Sequence, residues 1–260
     1  MVDEYISVSE AADLLGVNRQ RIHQRILEGS LPARRVGTQW TLPLSSVRRL
    51  QHHGAPGRPL SPKSAWDMIL VAAGVDEARA LPPSARSRAR SRLASLLNAP
   101  SDTNGDLDAG AARLRHALHN RAERVLFAAS PRDLADLADD DRVLLSGVSN
   151  PAANISAADV VEGYVVAEDV EALIDDYLLS SVPSPASGGG ANVIFHVVRP
   201  GPHRPEPALL ERLVSSALPL AADLAEHDGV REKNEALHRV SELGDRVRFR
   251  TFARVESDRG

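Results

Sequence analysis

Apolar residues in the first fifty positions recur at two periods. Ala11, Ala12, Leu14 and Leu15 follow Ser9, a candidate N-cap, and predict a short helix stopped at Gly16 and Val17. Asn18 then caps a second helix in which Ile22, Ile26 and Leu27 fall at helical spacing. That leaves Arg19, Gln20, Arg21, His23, Gln24 and Arg25 toward solvent. Gly29 ends the helix, and Leu31 and Pro32 open an extended segment through Arg34, Arg35 and Val36. A turn at Gly37-Thr38 returns the chain through Gln39, Trp40 and Leu42, so the pattern predicts a two-stranded wing.

The pattern breaks over Gln51–Ser61, where His, Gly and Pro offer no period and predict a linker. Beyond it, Ser61-Pro62 begins a helix with Trp66, Ile69, Leu70 and Ala73 on one face and Gly74 at its end. After Leu81-Pro82-Pro83, Ser84 is a candidate cap for a helix with Ala85, Ala89, Leu93 and Leu96 as its apolar row. Arg86, Arg88, Arg90 and Arg92 occupy its remaining faces. A polar loop over Ala99–Asp106 leads to a third helix through Leu107, Ala111, Leu114 and Leu118, with Arg113, Arg115 and Arg121 expected to be exposed.

From there the elements shorten. Val125–Ala128 and Val143–Leu145 predict strands, with a helix between them begun by Ser130, Pro131 and Asp133 in a capping-box arrangement. Tyr164–Val166 predicts a strand and Glu168–Asp176 a helix, while Tyr177–Val182 and Asn192–Val198 predict a strand pair joined across Gly188–Gly190. Leu209, Leu210 and Leu213, then Leu218–Leu224, then Glu232–Leu243 predict three closing helices, and Asp245–Gly260 an Arg-rich disordered tail. The expected fold class is a multidomain α/β chain: a winged helix-turn-helix (1–53), a linker (54–62), an Arg-rich helical segment (63–124), an α/β domain (125–244) and a tail (245–260).

Charge sharpens this division. The net charge of −4 over 260 residues separates into +3 for residues 1–58 and −7 for the remainder, so the front suits nucleic acid better than the back. Arg can fork onto guanine and Gln onto adenine, and a helix N-terminus with Arg side chains suits phosphate. The candidate DNA-binding residues are therefore Asn18, Arg19, Gln20, Arg21, His23, Gln24, Arg25, Arg34, Arg35, Thr38 and Gln39. Arg86, Arg88, Arg90 and Arg92 are a candidate additional contact, against the plainer expectation of a solvated face offset by scattered carboxylates. Cysteine is absent and no apolar run reaches the ~20 residues that span a bilayer, so a cytoplasmic chain without membrane contact is expected.

Tyr5 to about Arg49 resembles the winged helix-turn-helix of excisionases and the MerR group, with its helix, LGV, second helix, LPA, RVG and Trp. That resemblance implies a second helix in the major groove and a wing along the backbone. The wing tip, often doubly basic before the Trp in that family, is Thr38-Gln39 here. The order of wing, Pro/Gly linker, SPKSAWDMILVAAG, LPPSARSRARSRL, VEGYVVAEDVEALIDDYLL and LPLAADLAEHDG resembles actinobacterial regulators encoded beside nucleotidyltransferase toxins of the AbiE and MenT type. It implies an antitoxin that represses its own operon on double-stranded DNA, opposes a nucleotidyltransferase toxin, and is a candidate homodimer on paired half-sites. A stand-alone or ligand-sensing repressor, or an excisionase-like recombination factor, is the alternative. A pocket lined by Tyr164 and Phe195 would favour a sensor.

Catalysis is not expected. His196, His203, Asp175, Asp176 and Ser149 are chemically competent but form no recognisable motif, and GxxxxGK, HExxH and GxSxG are all missing. His116 and His119 are three apart on a helix, but the neighbouring Arg113, Arg115 and Arg121 would repel a metal ion, so neither metal nor cofactor is expected.

Overall fold

The computed structural model describes residues 5–15, 17–27, 31–36, 39–44, 46–47, 59–98, 107–155, 157, 159–182 and 190–257. The chain divides into two compact units, residues 1–58 and 59–260.

In the first unit, β1 (Tyr5–Ser7) runs into α1 (Val8–Leu15), and α2 (Arg19–Leu27) is followed by β2 (Arg34–Val36) and β3 (Gln39–Pro43). The strands form an antiparallel sheet in the order β1-β3-β2, with Ile6 opposite Leu42 and Arg35 opposite Trp40. The expected wing is therefore present, and β1 adds a third strand that the sequence pattern did not announce. The cap of α1 lies two residues earlier than expected. Ser7 rather than Ser9 closes the helix, its Oγ accepting from the Glu10 N–H (3.2 Å) while the Glu10 carboxylate accepts from the Ser7 N–H (2.8 Å). Ala11, Ala12, Ile22, Leu31, Leu42 and Val47 make the small core.

The second unit begins with α3 (Pro62–Ala73), capped by Ser61, whose side chain accepts from the Ser64 N–H, and closed by Gly74 in the left-handed conformation at φ 70°. The short α4 (Glu77–Ala80) precedes α5 (Pro83–Leu97). The cap position of α5 is Pro82, two residues ahead of the expected Ser84, because Pro83 at the first helical position already presets the helical φ. α6 (Leu107–Leu118) completes the helical portion, and the expected loop at 99–106 lies outside the described residues.

A five-stranded mixed sheet follows in the order β5-β6-β8-β4-β7: β4 (Glu123–Ala128), β5 (Leu144–Leu145), β6 (Val161–Val166), β7 (Ser180–Ser181) and β8 (Val193–Val198). β6 and β8 are parallel, with Val161 opposite Val193, and the other pairings are antiparallel. The expected pairing of β7 with β8 is not made. β4 lies between them, pairing Phe127 with Ser181 on one side and Leu126 with Ile194 on the other. Between β4 and β5, α7 (Leu134–Ala138) starts at Asp133 without a side-chain cap; the Ser130 Oγ is used by the Arg132 N–H instead. α8 (Val170–Asp176), α9 (Pro207–Val214), α10 (Ala217–Leu224) and α11 (Val230–Ser257) supply the remaining helices.

Two cores line the sheet. Phe127, Leu137, Val165, Leu173 and Phe195 fill one face; Trp66, Leu93, Leu114, Tyr164, Leu220 and Ala236 fill the other. Strands covered on both faces are apolar almost throughout, which is the pattern of VIFHVV in β8, His196 aside. The second core corrects the expected separation of a helical segment (63–124) from an α/β domain (125–244), since α3, α5 and α6 bury their apolar rows in common with β6, α10 and α11. The expected tail at 245–260 is also revised, because α11 continues through Asp245 to Ser257. No helix among the described residues is long and apolar enough to cross a membrane.

Candidate nucleic-acid interface

α2 is fixed at its start by Asn18, whose Oδ1 accepts from the Arg21 N–H at 2.8 Å, and along its length by Ile22, which is fully buried, with Ile26 packing beside it. Burial of Ile22 dictates which face points outward. Asn18, Arg19, Gln20, Arg21, His23 and Gln24 are all exposed on that face or at the helix start. The Arg21 Nη1 donates to the Gln24 Oε1 at 3.0 Å, which aligns the two side chains one turn apart. Arg25 lies on the same helix, though its side chain is outside the described residues.

The wing arginines do not act as one patch. Arg34 and Arg35 are consecutive in β2, so their side chains leave opposite faces of the sheet. The Arg34 guanidinium lies 3.9 Å from the centre of the Tyr5 ring, a cation–π contact that holds it over β1. Arg35 is exposed opposite Trp40. Gln39 pairs through its backbone with Val36, and Thr38 at the wing tip lies outside the described residues.

On α5, the four arginines form two i, i+4 pairs. Arg86–Arg90 and Arg88–Arg92 flank the apolar row of Ala85, Ala89 and Leu93 on either side. The Arg86 Nη1 donates to the Arg79 carbonyl at 3.0 Å. The run RSRARSR is therefore two separate basic edges rather than a stripe.

A second constellation was invisible in the sequence. Arg121, expected to be exposed at the end of α6, is only 2% exposed. Its guanidinium binds Asp223, reaches Glu226 at 2.8 Å, and donates through Nε to the Tyr164 hydroxyl oxygen at 2.7 Å. The Tyr164 hydroxyl donates to Asp223 at 2.9 Å, and the Ser146 hydroxyl donates to the other Asp223 oxygen. The same sheet face carries Glu162 and His196, whose Nε2 lies 2.9 Å from Glu162 Oε1, while His227 Nε2 lies 2.8 Å from Oε2. His196 also stacks on the Tyr164 ring.

Burial alone would raise the Glu162 pKa, but its bonds to His196 and His227 hold it well below the ordinary carboxylate range. Burial works against protonation of both histidines, yet Asp223 and Glu162 lift His196 above its ordinary value and Glu162 lifts His227. Burial likewise opposes the charge on Arg121, and Tyr164, Glu226 and Asp223 keep it protonated.

This cluster ties α6, the sheet and α10 together beneath the surface. His196, the candidate acid-base residue of the sequence, is spent within it at 1% exposure. Ser149 donates to the Val160 carbonyl and accepts from the Glu162 N–H, Asp176 pairs with Arg142, and Asp175 and His203 are exposed elsewhere, so the five residues do not converge. Tyr164 and Phe195 are both fully buried, so they are core residues rather than the walls of a sensor pocket. Among the described residues, no three His, Asp or Glu side chains are arranged to hold a metal ion.

Residues 5–53 match the family model of a helix-turn-helix domain. No curated protein and no solved structure matches the chain.

Proposed function

We propose that the chain is a DNA-binding transcriptional regulator without a catalytic role, reading its own operator through α2. The observation that carries this reading is the division of α2 into a buried Ile22 face and an exposed face of Asn18, Arg19, Gln20, Arg21, His23 and Gln24, within a segment that matches a helix-turn-helix domain. Arg35 supplies a phosphate contact beside the groove, and two copies reading paired half-sites raise specificity. Binding of the full chain to the DNA upstream of its own gene, followed by fluorescence anisotropy with unrelated duplex as competitor, tests the reading. Affinity indistinguishable between the two duplexes refutes it.

The finer reading is an antitoxin that represses its operon and opposes a nucleotidyltransferase toxin. Its support is the order of segments from the wing through LPLAADLAEHDG. Expression of the adjacent reading frame alone, with the full chain, and with a chain lacking residues 1–58 separates the cases. Rescue of growth by both forms assigns neutralisation to residues 59–260, rescue by the full chain alone assigns it to control through DNA, and a harmless neighbour removes the toxin.

A further inference from the structure

Residues 59–260 contain a cavity of about 920 Å³, within the range of roughly 300–1,000 Å³ typical of small-molecule sites. It opens between the start of α3, the turn after α6, the first residues of β4, and the segment that follows β8. Its walls are largely apolar and include Pro62, Trp66, Ala122, Val198, Pro200 and Pro202.

The charged groups on these walls are mostly cations, and they differ in how far they are already used. Lys63, Arg121, Arg199 and Arg204 are each held by a carboxylate, from Asp67, Asp223, Glu123 and Glu168 respectively. Arg124 is not fully satisfied. Its Nε is buried and lies 3.3 Å from Glu226 Oε2, within ion-pair distance but without the alignment of a hydrogen bond. The Glu226 carboxylate already serves Arg121. Arg115 and His203 reach the cavity with no hydrogen-bond partner among the described residues, although Arg115 lies in the field of Asp108. An apolar chamber with underused guanidinium donors and both of its lining acids committed suits a ligand of one kind.

We propose that this cavity binds a small amphipathic anion, an apolar body bearing one carboxylate, sulfonate or phosphate group. The body lies along Pro62, Pro200 and Pro202, and the anionic group takes the donors of Arg124 and Arg115. The proposal stands on the cavity alone and does not depend on the DNA-binding reading.

The probe is 1-anilinonaphthalene-8-sulfonate, compared with N-phenyl-1-naphthylamine, which has the same aromatic body and no charge. Fluorescence titration of the full chain is expected to show one saturable sulfonate site per chain and about tenfold weaker binding of the neutral dye, the factor one charge-assisted hydrogen bond supplies. Arg115→Glu and Arg124→Glu each weaken the sulfonate by about the same factor and leave the neutral dye unchanged. Equal binding of the two dyes, sulfonate binding at many sites, or unchanged sulfonate affinity in Arg115→Glu overturns the proposal. Arg115 makes no hydrogen bond among the described residues, so this variant decides the matter even if Arg124→Glu fails to fold, as checked by circular dichroism.

Discussion

Gly147 turns the chain at φ 52° directly against the buried carboxylate of Glu162, so that a Cβ at position 147 would collide with that carboxylate. The same carboxylate accepts from the Val148 N–H at 2.9 Å, so the tight turn and the buried acid are parts of one arrangement. Two penalties fall on any side chain here, the left-handed backbone and the loss of space. Gly147→Ala is expected to destabilise residues 59–260 by at least ~2 kcal/mol, measured by urea denaturation. A change under ~0.5 kcal/mol would mean that Glu162 moves aside freely.

Arg121→Met leaves Asp223 and much of Glu226 buried without their cation. Since the Arg121 side chain is 1% exposed, solvent screens this little, and the expected loss is ~3–5 kcal/mol in the same measurement. The native Arg121 does more than fill space; a Met of similar length retaining full stability would refute that.

The stability of residues 59–260 is expected to be greatest between pH 4.5 and 6.5, the ordinary values of the glutamate and histidine side chains. Glu162, with its pKa lowered by folding, contributes stability above 4.5 that is lost as pH falls toward its folded value. His196 and His227, with theirs raised, contribute stability below 6.5 that is lost as pH rises through their folded values. Tm followed by calorimetry across pH 4 to 9 checks this. His196→Gln should flatten the alkaline side, and an unchanged alkaline slope would remove His196 as a source.

On α2, Arg21→Ala is expected to lower operator affinity by ~1–3 kcal/mol with the fold intact, if the side chain reads a base. Arg35→Ala should instead weaken binding to all sequences alike and reduce the salt slope by about 1. Anisotropy titrations at several salt concentrations separate the two. Unchanged affinity in Arg21→Ala would take this helix out of the groove.

Position 17 separates apolar character from burial. Val17 is 40% exposed, whereas Ile22 has no exposed surface. Val17→Asp should leave residues 1–58 folded and Ile22→Asp should unfold them, as read by circular dichroism.

What the sequence determined by itself lies within a few residues of each position. Asn18 before a helical run, Ser61-Pro62 ahead of one and Gly74 after it mark helix ends because caps bond groups three or four residues away. The apolar run of β8 marks a strand covered on both faces. The exposed face of α2 followed from the spacing of Ile22 and Ile26, and with it the core of the candidate interface. Tertiary structure decided the rest. Nothing within one helical turn distinguishes Arg121 from Arg113 or Arg115, and its burial depends on Asp223, 102 residues further along the chain. Charge burial is tolerable only where a counter-charge is brought by another element, and strand neighbours are chosen by the sheet as a whole. Hence β4 rather than β7 lies beside β8, and the helical and α/β segments share one core.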